Sequence, residues 1–315
     1  AAHRASIDII GDIELFAEAT NVPTVAITGT NAKSTVTTLL GLMAENAHIK
    51  VGVGGNLGTP VLELLHPETE LYILELSSFQ LETTHSLKAA AAIVLNVSED
   101  HMDRYPSMAK YNQAKQRIFR HCQFYVTNRQ DSLTLPLLSN DAPHTSFGLD
   151  TPDLSSYGVI REAGQIYLAK GQEKLMLASE MGIFGEHNIA NALAALALGD
   201  AVHIPMPAML QTLKTFTGLP HRCQLVTKQH DVAWYNDSKG TNVGATLAAI
   251  HGLGAAITGK IILIAGGVGK GQDFSPLSPA LAQYGKAVIL IGEDAAKIDA
   301  AIAEPIAKIY ATTLI

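Results

Sequence analysis

The 315-residue chain is short of cysteine, of aromatic residues and of charge. Its two cysteines, Cys122 and Cys223, lie far apart in no metal-binding or redox pattern. That excludes a disulfide framework and points to a reducing compartment. Charged residues make up 16% of the chain, where soluble domains average about 25%. Basic residues are the scarcer sign, 22 Lys and Arg against 29 Asp and Glu, for a net charge of −7. A general nucleic-acid binder needs a basic face, so no nucleic-acid partner is expected, although local phosphate sites remain open. No apolar run approaches the ~18 residues of a membrane helix, and the longest, such as 89–95, are strand-sized. The opening Ala-Ala-His-Arg lacks the basic-then-apolar order of a signal peptide. Membrane insertion is therefore not expected, and the location expected is cytoplasmic. What the chain has in plenty is apolar material: 47% hydrophobic residues exclude disorder and suffice for about two domains.

Strand-length apolar runs at 25–28, 71–76, 91–97 and 124–127 read as strands buried on both faces. Helical patterns at 34–46 and 109–121 alternate with them, which predicts a parallel sheet with helices on both faces. From 157 to 177 short alternating runs broken by Ala-Gly-Gln and Lys-Gly-Gln predict an antiparallel meander. Helices follow at 188–202 and 206–216, and Gly218-Leu219-Pro220 then punctuates the chain. A second β/α series begins there, with strands at 223–227, 233–236, 260–265 and 287–291 and helices at 243–251 and 276–284. The fold class is α/β. A P-loop-type, mostly parallel central sheet domain at 12–217 carries a small antiparallel insertion, and a Rossmann-like α/β domain follows at 218–315. Residues 1–11 precede the first predicted domain; the resemblance described below implies that they are a linker or the remnant of a preceding domain, and that the second domain is incomplete.

The strongest local signal is Thr28-Gly29-Thr30-Asn31-Ala32-Lys33-Ser34-Thr35, between a predicted strand and a predicted helix. Backbone N–H groups at such a helix start cradle phosphate oxygens. Lys33 would meet the β- and γ-phosphates, and the Ser34 hydroxyl would ligate Mg²⁺. The general P-loop pattern fails at both glycine positions, which hold Ile27 and Ala32. The bland alternative is a junction capped by Thr30 or Asn31 with an exposed Lys33.

Three further segments carry polar groups at the ends of predicted strands. Glu75 ends one strand, where α/β sheets bind ligands; it is either a Mg²⁺ ligand or a helix cap. Asn96-Val97-Ser98-Glu99-Asp100-His101-Met102-Asp103-Arg104 ends the next, with Asp100 and His101 as candidate metal or substrate contacts. Asn236-Asp237-Ser238-Lys239-Gly240-Thr241-Asn242 forms a second strand-to-helix anion site. The glycine-rich 265–274 loop has the wrong spacing for a dinucleotide fingerprint. From residue type alone, Lys115 is an ordinary surface lysine, Asn188 a helix cap and Lys270 a loop lysine.

Taken together, Gly-Thr-Asn-x-Lys-Ser-Thr, Glu-Leu-Ser-Ser-Phe-Gln-Leu-Glu, Glu-Asp-His-Met-Asp-Arg-Tyr, Leu-Pro-His-Arg and Asn-Asp-Ser-Lys-x-Thr-Asn resemble the motifs of the Mur ligases. These are ATP-dependent amide ligases of peptidoglycan precursor synthesis. The resemblance runs from about residue 10 to about residue 277 and is nearest to members that add D-glutamate to UDP-N-acetylmuramoyl-L-alanine. It implies ATP with Mg²⁺, two ions, held by Ser34, Glu75, His101 and a carbamylated Lys115. It implies ATP contacts from Gly29, Thr30, Asn31, Ala32, Lys33, Ser34 and Thr35. Further nucleotide contacts fall to Asn191 at the base, Arg222 at the γ-phosphate, Asp237 at the ribose and Lys239 at phosphate. Asn56, His101, Thr241 and Lys270 would contact substrate, Lys270 through the D-glutamate α-carboxylate. Lys33, Glu75, Asp100, His101, Lys115 and Arg222 would carry the catalysis, in a protein acting as a monomer. The family usually has Gly where this chain has Ala32, which would strain a left-handed backbone. A folylpolyglutamate synthetase, a P-loop kinase or NTPase, and a binding-competent but inactive fragment are the competing readings.

Overall fold

The computed structural model describes residues 9–137 and 141–312. Residues 1–8 of the expected linker or remnant, and 313–315 of the second domain, lie outside the described residues. Contacts divide the chain into two units, Ala1–Val97 with Ala109–Thr217, and Ser98–Met108 with Gly218–Ile315.

In the first unit a short helix α1 (Asp12–Ala19) precedes β1 (Thr24–Thr28), α2 (Lys33–Asn46) and β2 (Val51–Gly55). Then come β3 (Leu71–Glu75), α3 (Ser78–Glu82), β4 (Ala91–Val94), α4 (Met108–Gln116), β5 (Tyr125–Asn128) and β6 (His144–Phe147). The antiparallel strands β7 (Tyr157–Glu162), β8 (Gln165–Lys170) and β9 (Glu173–Leu177) follow, and helices α5 (Glu186–Ala201) and α6 (Met206–Thr215) close the unit. The strands form one sheet in the order β2-β3-β1-β4-β5-β6-β7-β8-β9. The first six pair in parallel, whereas β7–β8 and β8–β9 are antiparallel. The antiparallel strands continue this sheet: Phe147 pairs with Tyr157 and joins them to the edge of the parallel part.

Every residue of β1, β3 and β4 is buried, as the apolar runs predict for central parallel strands. Leu39, Leu40 and Met43 of α2 are fully buried, and α2 packs on β2 and β3 and against α5 and α6. Truncating one such leucine to alanine costs about 2–5 kcal/mol. The helix α1 buries Ile13 and Phe16 and is held by tertiary contacts. Phe16 meets Tyr72 edge-on at 4.9 Å, and the buried Glu14 carboxylate accepts the His85 N–H at 2.6 Å and the Ser86 N–H at 3.1 Å. Burial alone would push this carboxyl up, but the two N–H donors win and hold it below the usual range.

The second unit opens with β10 (Gln224–Gln229) and β11 (Val232–Asn236), followed by α7 (Val243–Ala256), β12 (Ile261–Gly266), α8 (Leu277–Tyr284), β13 (Gly285–Ile291), α9 (Ala295–Ala301) and β14 (Ala307–Tyr310). β12, β13 and β14 form a parallel three-stranded sheet. Its core joins Ile250, Leu277, Leu281, Val288, Leu290, Ile298 and Ile302. The strands read at 223–227 and 233–236 do not enter that sheet but pair with each other as an antiparallel hairpin. The reason is the turn. His230 and Asp231 both have positive φ, 50° and 62°, the geometry of a two-residue turn that matches strand twist.

No helix among the described residues is long and apolar enough to cross a membrane.

Candidate functional site

The parallel register sets the site. Ile27 of β1 lies beside Glu75 of β3 and Ile93 of β4, so the C-terminal ends of three strands coincide. Ligands bind at this edge of open α/β sheets.

The loop leaving β1 turns sharply. A Cβ at Gly29 would lie 3.0 Å from Leu95 Cβ just past β4, so a larger residue there would have to push that neighbour aside. Ala32 has φ +67°, the left-handed conformation its sequence position raised as a difficulty. The N-cap position of α2 is held by Ala32, not by Thr30 or Asn31 as the bland alternative required. Nor does Lys33 reach into solvent: its Nζ donates to the carbonyls of Gly29 and Thr30, each at 2.9 Å. Thr30, Ser34 and Thr35 are buried. Thr30 bonds the Tyr111 hydroxyl at 3.4 Å.

Asn96 fixes the loop from the neighbouring strand, a role that residue type did not suggest. Its Oδ1 accepts the Asn31 N–H at 2.8 Å, its Nδ2 donates to the Asn31 carbonyl at 3.2 Å, and its own carbonyl accepts the Thr30 N–H at 2.9 Å. The clue was its place, two residues past the C-terminal end of β4.

Lys115 is not a surface lysine. It is 1% exposed, on α4, with Nζ donating to the Gly29 carbonyl at 2.8 Å and lying 4.4 Å from the Tyr111 ring centroid. Two ammonium groups, those of Lys33 and Lys115, therefore converge on one carbonyl oxygen.

Glu75 is 3% exposed. The adjacent helix start is capped by Ser77 and Gln80 in a reciprocal capping box, which excludes Glu75 as the cap. Asn56 Nδ2 donates to Glu75 Oε1 at 2.9 Å, while Oε2 is buried with no hydrogen-bond partner. A buried carboxylate oxygen left without a donor is costly unless a cation meets it, and a hard cation such as Mg²⁺ fits that need. Among the described residues no three His, Cys, Asp or Glu side chains converge as a ready-made metal cage. Ser34, Glu75 and Lys115 belong to the first unit and His101 to the second.

Asn191 lies on α5, where its Nδ2 donates to Asn188 Oδ1 at 3.3 Å. Asn188 does not cap the helix, which begins two residues earlier at Glu186; its side chain donates to the Phe184 carbonyl at 2.8 Å.

In the second unit Asp100 is buried, and three groups gather on it. Lys270 Nζ reaches Oδ1 at 3.3 Å, Asn242 Nδ2 reaches Oδ2 at 3.4 Å, and His101 Nε2 stands 3.8 Å from Oδ2. His101 and Lys270 both hold positive φ, 58° and 53°. Arg222 has a buried Nε with no partner, a donor suited to an anion. Burial pushes the Asp237 carboxyl up, against the opposing pull of the Cys223 N–H and the Arg222 charge. Its Oδ1 accepts that N–H at 3.0 Å. A Cβ at Gly240 would come within 2.7 Å of Asp237 Oδ2, so alanine there requires that carboxylate to shift. Lys239 and Thr241 are exposed on the same strand-to-helix loop.

Sequence comparison matches residues 27–199 to the Mur ligase middle domain and residues 221–313 to the Mur ligase glutamate ligase domain. The chain is 58% identical over 312 residues to the UDP-N-acetylmuramoylalanine–D-glutamate ligase of Acinetobacter baylyi, covering 98% of this chain and 70% of that one. With the enzyme of the same name from Pseudomonas aeruginosa it is 56% identical over 308 residues, covering 98% and 69%. Among solved structures, MurF from Acinetobacter baumannii superposes with a TM-score of 0.76 at 18% identity, over 94% of this chain and 69% of that one. MurC from Thermotoga maritima gives 0.71 at 19% identity, over 99% and 73%.

Proposed function

The chain belongs to the Mur ligase family, and from that premise we propose that it joins D-glutamate to UDP-N-acetylmuramoyl-L-alanine at the expense of ATP. The observation that carries this reading is the edge formed by β1, β3 and β4, where an anion-binding loop and a buried carboxylate oxygen without a donor lie side by side.

In the first step a carboxylate oxygen of the L-alanyl group attacks the γ-phosphorus of ATP. The bond to the β,γ-bridging oxygen breaks, and ADP leaves with that electron pair. Two anions must approach each other, so the step needs preorganised positive charge. Lys33 supplies it beside the loop amides, and Arg222 supplies it through a guanidinium nitrogen that is buried without an acceptor. Glu75 and Ser34 would hold Mg²⁺, whose chemistry is to neutralise phosphate charge and polarise the γ-phosphoryl oxygens. In the second step the amine of D-glutamate attacks the acyl-phosphate carbonyl, phosphate leaves, and an amide remains. Lys270 binds the amino-acid carboxylate, Thr241 lies alongside, and Asp100 or His101 takes the amine proton. Asn191 faces the base, Asp237 the ribose and Lys239 the phosphates, while Asn56 steadies Glu75 and meets the UDP-linked substrate. ATP dependence assigns the reaction to the cytoplasm, with the protein acting as a monomer.

Lys115 acts as its carbamate: the neutral amine adds to carbon dioxide and releases one proton. The carbamate nitrogen keeps one N–H, so the bond to the Gly29 carbonyl survives the modification. Lys115→Ala is expected to lower kcat by about 100-fold, with partial recovery on adding acetate or formate; unchanged turnover would remove the carbamate role. The whole reading is tested by phosphate release from ATP with UDP-N-acetylmuramoyl-L-alanine, with and without D-glutamate. Release that requires D-glutamate and yields the amide is expected. Equal turnover with a folate and L-glutamate would sink it.

A further inference from the structure

Lys270 stands in a loop that its glycines make adaptable: Gly267 and Gly271 have φ of 95° and 74°, and Lys270 itself is left-handed at 53°. Such a loop has many backbone states open to it. Something must select the one that presents the lysine. Asp294, which precedes α9, is 7% exposed, and its Oδ2 accepts the Gly269 N–H at 2.6 Å. Its own N–H donates to the Gly267 carbonyl at 3.0 Å. From the other side, Gln272 N–H donates to the Gly269 carbonyl at 3.0 Å, and Gln272 Oε1 accepts the Val243 N–H at 2.8 Å at the start of α7. Both polar groups of Gly269 are therefore held, one residue before Lys270.

We propose that Asp294 is a positioning residue for the amino-acid substrate, fixing the Gly269 peptide so that Lys270 presents its ammonium to the substrate carboxylate. It touches no substrate itself, and the inference rests on reading Lys270 as the carboxylate ligand. The Lys297 ammonium, 2.7 Å from Oδ1, and the Gly269 N–H hold the Asp294 carboxyl below the usual range, so it stays an acceptor at neutral pH. Lys297 is 72% exposed and bonds Asp294 at Oδ1, the oxygen not used by the Gly269 N–H.

The test compares wild type, Lys270→Ala, Asp294→Ala, Asp294→Asn and Lys297→Ala in steady-state amide formation, with KM measured separately for D-glutamate and ATP. Exchange of the Gly269 amide proton is followed in parallel. Asp294→Ala is expected to raise the D-glutamate KM about tenfold, the loss of one hydrogen bond to a charged group. The ATP KM stays within about twofold and the Gly269 amide exchanges faster. Asp294→Asn, whose amide oxygen still accepts, recovers most of the effect, and Lys297→Ala changes KM little. An unchanged D-glutamate KM in Asp294→Ala, alongside a raised one in Lys270→Ala, overturns the proposal and spares the reading of Lys270. An unchanged value in Lys270→Ala overturns that reading and the proposal with it. A parallel rise in both KM values for Asp294→Ala, without recovery in Asp294→Asn, marks general damage and also refutes the positioning role.

Discussion

The two glycine-containing loops that follow β1 and β12 solve one problem by different means. Each leaves the C-terminal end of a parallel strand and holds a lysine, Lys33 or Lys270, for which we propose an anionic ligand. The β1 loop has one glycine, Gly29, and its shape comes from the neighbouring strand: Asn96 grips both polar groups of Asn31 from the end of β4. The β12 loop is rich in glycine, and its shape comes from side chains that follow in sequence, Gln272 and Asp294. A loop clamped by a sheet inherits the sheet's rigidity; one clamped by polar side chains is only as rigid as those bonds. On the roles proposed above, that would suit a permanent phosphate cradle in the first unit and an adaptable amino-acid site in the second.

The sharpest way to break this comparison is at the rigid end. Glu75→Gln keeps an acceptor for Asn56 but removes the charge, and kcat should fall by about 100- to 1000-fold while the melting temperature hardly moves. A large loss of stability instead would mean that Glu75 serves the fold. Asn96→Ala should loosen the cradle and raise the ATP KM about tenfold, with little change in that of D-glutamate. If both rise together, the two loops are not independent. Further from the chemistry, Glu14→Gln should destabilise the first unit by about 1–3 kcal/mol in thermal unfolding. Because the folded carboxyl lies below its ordinary pKa of 4.5, the stabilisation is complete above that value. It is lost as pH falls through the folded pKa, so wild type and variant should converge on acidification. The smallest effect is expected at Ala32→Gly, which relieves a left-handed alanine and should stabilise by about 1 kcal/mol. A destabilised glycine variant would show that Ala32 packs in a way that outweighs its strain.

Much of the fold was legible because central parallel strands leave a simple trace: β1, β3 and β5 appear as apolar runs bounded by turns. The edge strand β2, Val-Gly-Val-Gly-Gly, left no such trace, because three glycines hide a strand whose neighbours supply the packing. The helix α1 was missed because its Glu14 carboxylate and Phe16 ring are held by partners distant in sequence, His85, Ser86 and Tyr72. The hairpin of β10 and β11 was mistaken for part of a β/α series because His230-Asp231 is not a familiar turn pair. At the candidate site the residue types were visible but their burial was not. Lys115 read as a surface lysine because only the packing of α4 beneath the β1 loop encloses it. Asn96 and Asp294 went unassigned for a similar reason: each acts on another residue's backbone, and no side-chain motif records that.

The single register pair between Phe147 and Tyr157 also bears on the protein's behaviour at high concentration. Without the meander the parallel sheet would end at β6, whose unpaired margin would be open to a strand from another molecule. With it, the margin moves out to β9, where Glu173 and Lys174 are exposed and Lys174 is ion-paired to Glu162 of β7. Charged residues on an outermost strand discourage such pairing. The three antiparallel strands therefore serve as a guard rail against aggregation as well as an extension of the sheet.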